Sequence, residues 1–90
     1  MKMSRIERQR WLRIRIAVAA YAYEVHDRQI MSDAEFDAMA AKIDTLIETG
    51  NEKLDRFFDR HFDASTGIWI HRHPDLAGIE RIYRNHHCTD

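Results

Sequence analysis

Apolar side chains recur every three or four positions along the first part of the chain, which is the spacing of one face of an α-helix. Ser4 and Glu7 match a capping box, in which the serine accepts from a free backbone N–H and the glutamate reaches back to the cap. The pattern predicts an amphipathic helix over residues 5–26. Its apolar positions are Trp11, Ile14, Val18, Tyr21, Ala22 and Val25.

A second helix start follows at once. Ser32 and Glu35 form another capping box, and Met31 and Phe36 stand at the two positions of a hydrophobic staple. The apolar stripe then continues as far as Gly50, a residue suited to ending a helix. We therefore expect a second long helix that pairs with the first as a helical hairpin. Its stripe consists of Phe36, Met39, Ala40, Ile43, Leu46 and Ile47.

The remainder predicts two shorter helices. Asn51 caps a third helix that carries several phenylalanines, and Pro74 suits the first turn of a fourth. Between them, residues 63–67 have turn composition, and residues 68–70 read Ile-Trp-Ile, which we expect to be an extended segment. The fold class is all-α, as a single small helical domain over residues 1–90 with a frayed tail at 86–90.

Size and composition agree with one small domain, since the chain has 90 residues, of which 44% are hydrophobic. No apolar run approaches the roughly 20 residues that a membrane span requires, so no membrane contact is predicted. The one cysteine, Cys88, has no partner for an internal disulfide, which fits a reducing compartment. The predicted localisation is cytoplasmic.

Charge is distributed unevenly, although the net charge is only −1. Residues 1–15 carry six basic side chains and one acid, whereas residues 24–63 carry eleven acids and five bases. The basic first helix leaves open a contact with nucleic acid, and the alternative is an ordinary solvated surface.

Catalytic motifs are absent: there is no glycine-rich phosphate loop, no nucleophile elbow and no His-Glu-x-x-His helix. We therefore predict that the protein is not an enzyme and holds no cofactor. His71 and His73, with a third ligand from His61 or from the C-terminal tail, could in principle form a zinc site. Because their spacing matches no zinc pattern, we predict no metal, and interpret His71 and His73 as residues that cap the fourth helix and line a loop.

The junction of the first two predicted helices resembles a known family. Tyr-Ala-Tyr-Glu-Val-His-Asp at residues 21–27, followed by Met-Ser-Asp-Ala-Glu-Phe-Asp at residues 31–37, is similar to the N-terminal helical subdomain of bacterial NAD-dependent DNA ligases. The resemblance covers about residues 11–48. In that family the helical pair closes over the nicotinamide mononucleotide half of NAD.

The resemblance implies candidate cofactor-binding residues at Tyr23, Asp33, Phe36 and Asp37. Phe36 replaces a tyrosine of the family and keeps the ring face, while Glu24 stands where the family has a histidine. The family's nucleotidyltransferase domain has no counterpart in this chain. The alternative interpretation is structural: the two rings pack in the hairpin seam, and the aspartates complement the helix dipole or a nearby cation.

The whole chain also resembles small ligase-related proteins of tailed phages and prophages, through residues 21–24, 31–37, 49–58 and 65–74. That resemblance implies a non-catalytic accessory protein in the host cytoplasm that contacts a host or phage protein, for example as an inhibitor of a host defence or nucleic-acid-processing complex. A small-molecule module that retains nicotinamide-nucleotide binding is the alternative. A homo-oligomer also stays open, because four large aromatic residues could exceed what one small core buries: Trp11, Phe57, Phe58 and Trp69.

Overall fold

The computed structural model describes residues 2–87 of the chain and shows helices joined by loops, with no strand within that range. The all-α prediction is confirmed. The elements are α1 (Arg5–His26), α2 (Asp33–Ala41), α3 (Glu52–His61), a 3-10 helix (Ile68–Arg72) and α4 (Leu76–His87). None of these helices is long and apolar enough to cross a lipid bilayer.

Helix α1 is the element on which the others pack, and its bounds are those predicted. The capping box forms: the Ser4 hydroxyl accepts from the Glu7 N–H at 3.1 Å, and the Glu7 carboxylate accepts from the Ser4 N–H at 3.2 Å. Asp27 ends the helix in a left-handed conformation, with φ of 52°. Small side chains on the buried face let α2, the 3-10 helix and α4 approach closely. They are Ala17, Ala19, Ala20 and Ala22.

Helix α2 starts where predicted and ends much earlier. The Ser32–Glu35 capping box is present, but the helix has nine residues and ends at Ala41 instead of continuing to Gly50. The prediction of a hairpin of two long helices is therefore wrong for the second helix. Residues 42–50 form a loop, and Leu46, predicted to lie on a buried stripe, is 85% exposed.

Side chains of α1 explain this early end, because they bond to the backbone that a longer helix would use. Gln9 donates to the Lys42 carbonyl at 2.8 Å and accepts from the Asp44 N–H at 3.1 Å. The guanidinium of Arg13 donates to the carbonyls of Asp44 and Ile47 at 2.9 and 3.0 Å. These tertiary hydrogen bonds satisfy polar groups of the loop backbone, which removes the need for a helical ladder there.

The same arginine ties α1 to α3. Nη1 of Arg13 lies 2.7 Å from Oδ1 of Asp55, and the arginine side chain is only 5% exposed. Burial of Asp55 opposes its ionisation, but hydrogen bonds from Thr49 and Arg13 outweigh burial and hold the pKa of that carboxyl below its ordinary value. The pair therefore stays charged at neutral pH.

Helix α3 adds the aromatic part of the core. Its cap is the predicted one, since the Asn51 side chain accepts from the Leu54 N–H at 3.2 Å. Phe58 is 1% exposed, and its ring lies 5.6 Å from that of Trp69, which is also buried. Three of the four aromatic residues expected to reach the surface are thus inside: Phe57, Phe58 and Trp69.

The segment before α4 differs from its prediction. Residues 68–72 form a 3-10 helix and not the predicted extended segment, with the Ile70 N–H bonded to the Gly67 carbonyl at 3.1 Å. Helix α4 then starts at Leu76, two residues after Pro74, because the Asp75 side chain accepts from the Gly78 N–H and caps the first turn. Residues 86 and 87 of the predicted frayed tail are helical, and residues 88–90 lie outside the described range.

We predict that Arg13→Met destabilises the fold by roughly 3–5 kcal/mol, because it leaves the Asp55 carboxylate and two loop carbonyls without their buried donor. Urea unfolding followed by circular dichroism measures the change. Arg8→Met is the matched control, since Arg8 is an exposed residue of the same helix. An equal and small loss in both variants would contradict the structural role of Arg13.

Candidate functional site

A cleft of about 400 Å³ opens where α1 ends and α2 begins. We call it the α1–α2 cleft. Its walls come from the last turns of α1, the connection to α2, the first turns of α2 and the turn before the 3-10 helix. The lining residues are Ala19, Ala20, Tyr23, Glu24, Gln29, Ile30, Met31, Asp33, Phe36, Asp37, Ser65, Thr66 and Gly67.

All four residues predicted by the ligase resemblance line this cleft: Tyr23, Asp33, Phe36 and Asp37. The three on α2 share one helix face because they are spaced by three and four residues. The reversal after Asp27 brings that face against the end of α1, where Tyr23 stands. Glu24, the position at which the ligase family has a histidine, is also in the lining.

The structural alternative accounts for only part of this set. Phe36 is half-buried and packs against the hydrophobic core, as that alternative expects. Tyr23, in contrast, is 60% exposed and does not fill a seam. Asp33 accepts from the Gln29 side-chain amide at 3.0 Å, whereas Asp37 is exposed and has no ion-pair or hydrogen-bond partner within residues 2–87.

The charge of the α1–α2 cleft is negative. Glu24, Asp33 and Asp37 line it, and no lysine, arginine or histidine does so among the described residues. One of these carboxylates contacts a histidine that is not in the lining: Nε2 of His71 lies 3.1 Å from Oε1 of Glu24. A cleft of this charge favours a cationic ligand.

Two small residues, Gly67 and Ala20, form part of the floor of the α1–α2 cleft. Gly67 lies so close to α1 that a Cβ added there would approach the Cβ of Ala20 to 3.2 Å. The turn that carries Gly67 is built locally: the Asp63 carboxylate accepts from the N–H and the hydroxyl of Ser65 at 2.9 and 2.7 Å. Hydrogen bonds from Ser65 also hold the pKa of Asp63 below its ordinary value.

Residues 65–67 are the part of the cleft that sequence reasoning missed. Their composition identifies a turn, and that turn is present. Nothing in the local pattern indicates that it faces the start of α2, some thirty residues earlier, because this proximity arises from the packing of the 3-10 helix on α1. The resemblance could not supply these residues either, since it ends near residue 48.

The histidines do not converge. His71 is exposed and bonds to Glu24, while His73 is buried and its Nδ1 accepts from the Asp75 N–H at 3.0 Å. His61 lies against the Phe57 ring, with 5.6 Å between the ring centroids. Within residues 2–87 no group of three or more histidine, cysteine, aspartate or glutamate side chains is arranged to hold a metal ion.

The basic residues of α1 are largely used inside the molecule. Arg10 and Arg13 donate to the loop after α2, and the Arg15 guanidinium lies 5.1 Å from the centre of the Trp11 ring. Basic side chains without an ion pair among residues 2–87 instead lie around a shallow cavity of about 170 Å³ beside α3, which sequence reasoning did not single out. They are Lys53, Arg56, Arg60 and Arg72.

Comparisons with known proteins add no assignment: no protein-family model matches the chain, and no curated protein and no solved structure shows significant similarity to it. The ligase resemblance therefore stays a hypothesis.

We predict that stability falls as the pH drops below 6.5 and that His73→Gln makes this decline shallower. Burial lowers the pKa of His73, with Asp75 opposing the shift, so the unfolded chain binds a proton in a pH range where the folded chain does not. Urea midpoints measured between about pH 7 and about pH 5 give the slope. His61→Gln, at an exposed histidine, is the control; an unchanged slope in His73→Gln would refute the assignment.

Proposed function

We propose that the protein is a non-catalytic binding module whose α1–α2 cleft takes the positively charged nicotinamide end of a pyridine nucleoside or nucleotide. The observation that carries the proposal is the convergence of Tyr23, Asp33, Phe36 and Asp37 on one cleft with an acidic lining. The four residues belong to two helices, α1 and α2.

The ring of a nicotinamide nucleoside is a quaternary pyridinium, and this chemistry suits the cleft. Aromatic faces attract a cation within about 6 Å of the ring centre, and Tyr23 and Phe36 supply two such rings. The carboxylates of Asp33 and Asp37 add Coulombic attraction in a partly enclosed space. Glu24 contributes a third negative charge, offset at the rim when His71 is protonated.

The same charges should make the cleft selective among pyridine ligands. A phosphate group inside the cleft would face three carboxylates, since no basic residue lines it among those described. We therefore expect nicotinamide riboside, which has no phosphate, to bind more tightly than nicotinamide mononucleotide or NAD. Where a nucleotide binds, its phosphate must project toward solvent.

The proposed role is binding without a reaction. Hydroxyls and carboxylates line the cleft, but the lining residues do not form a nucleophile–base pair of the kind that covalent catalysis requires.

Thermal shift and calorimetry with nicotinamide riboside test the proposal. Ligand at 100 times its Kd should stabilise the fold by roughly 2.7 kcal/mol. The cation 1-methylnicotinamide should bind and neutral nicotinamide should bind much more weakly, since the two differ in ring charge. Asp37→Asn and Phe36→Leu should each weaken binding by about fivefold, corresponding to about 1 kcal/mol.

Asp59→Asn is the matched control for the loss of one negative charge, because Asp59 is exposed on α3 and outside the cleft. It should leave the affinity unchanged. No shift with millimolar nicotinamide riboside, or equal binding of nicotinamide and 1-methylnicotinamide, would rule out the proposed role.

A second candidate is the phage-type accessory protein, which acts by contact with a host or phage protein. It is supported by apolar side chains that stay exposed in a small protein: Leu46 at 85%, Ile68 at 63% and Trp11 at 43%. Exposed aromatic and aliphatic groups are favoured in the centre of protein interfaces. A homo-oligomer would bury the same exposed apolar side chains.

We predict that Trp11→Glu abolishes a contact made through Trp11. Light scattering measures self-association, and affinity capture from bacterial lysate compares wild-type bait, Trp11→Glu and the control Lys53→Gln. One defined partner retained by wild type and Lys53→Gln but lost with Trp11→Glu is the expected result. A monomeric mass together with no captured partner at several salt concentrations would contradict it.

A further inference from the structure

A second and larger cleft lies beside the N-terminal half of α1. Its volume is about 610 Å³, which falls in the range of roughly 300–1,000 Å³ that small-molecule sites occupy. We call it the α1–α4 cleft. It is defined by Arg13 and Ile14 of α1, Leu54 and Phe58 of α3, and Ile82 and His86 of α4. It shares no residue with the α1–α2 cleft.

The inner surface of this cleft is apolar. Phe58 and Ile79 are almost fully buried and form its base, while Ile14 is 43% exposed at its side. Apolar surface that faces water in a concave space gains free energy when an apolar group covers it. The cleft therefore suits a ligand with a hydrocarbon or aromatic body.

The edge of the cleft is positively charged. Arg81 has no ion pair or hydrogen bond within residues 2–87. Arg10 donates to the carbonyl of Thr49 and forms no ion pair in that range, although its charge also attracts the exposed Glu7 carboxylate. Asp75 is the one acid among the described lining residues, and its carboxylate is occupied by the Gly78 N–H that starts α4. The excess of positive over negative charge at the edge favours an anionic ligand.

Arg13 contributes no free donor to this cleft. Its side chain lines the cleft but is only 5% exposed, both terminal nitrogens already have acceptors, and its Nε is buried away from solvent. The preference for an anion therefore comes from the exposed arginines at the edge, Arg10 and Arg81.

We propose that the α1–α4 cleft binds a small organic anion with an apolar body, of the class of medium-chain fatty acids and aryl carboxylates. The apolar body lies on Ile14, Phe58 and Ile79, and the anionic group lies at the edge beside Arg10 and Arg81. This proposal does not depend on the α1–α2 cleft, whose acidic lining selects the opposite charge.

The test uses 8-anilinonaphthalene-1-sulfonate, an aromatic anion whose fluorescence rises on leaving water. We expect saturable binding at one site per chain. Arg81→Gln should weaken it about tenfold, corresponding to about 1.4 kcal/mol, and Ile14→Ser about fivefold. Both positions are exposed, so circular dichroism should show unchanged helicity. Arg84→Gln, which removes the same charge from the same helix outside the cleft, should bind like wild type.

Displacement of the fluorescent probe distinguishes a fatty acid from an aryl carboxylate. Decanoate and 1-naphthoate should each displace the probe, and the one that acts at lower concentration identifies an aliphatic or an aromatic body. Neutral decanol and inorganic phosphate should not displace it. Displacement by decanol as effective as by decanoate, unsaturable binding, or equal affinity of wild type and Arg81→Gln would overturn the proposal.

Discussion

The guanidinium of Arg13 lies almost fully buried on α1, where it bonds to Asp55 of α3 and to two carbonyls of the loop after α2. A buried charge is tolerated only when partners surround it, so this side chain determines where three segments of the chain must lie. Gln9, one turn earlier, donates to the Lys42 carbonyl and accepts from the Asp44 N–H of the same loop. The loop is therefore fixed by α1 and not by its own secondary structure, and the docking of α3 follows from it.

Helix α1 also separates two sites of opposite charge. Its C-terminal half contributes Tyr23 and Glu24 to a cleft lined by three carboxylates, and its N-terminal half contributes Arg10 and Arg13 to a cleft with a basic edge. The net charge of −1 conceals this division. Both proposed ligands follow from it: a cationic ring in the first cleft and an organic anion in the second.

Local signals predicted the structure well wherever one turn of chain contains the whole interaction. Both capping boxes and the Asn51 cap formed as expected, because a cap joins residues three positions apart. The length of α2 was wrong, since the apolar stripe through Leu46 gives no sign that α1 side chains bond to that backbone. The Ile-Trp-Ile segment was expected to be extended, yet its backbone is a 3-10 helix.

The sequence alone determined the all-α class, the starts of the first three helices and, by resemblance, four of the side chains that line the α1–α2 cleft. Those features depend on short-range hydrogen bonds and on residue spacing along a helix. Tertiary structure alone decided the early end of α2, the approach of Gly67 to Ala20, and the second cleft between α1, α3 and α4. Each of these joins residues far apart in the chain, and their proximity depends on how whole helices pack around the buried side chain of Arg13.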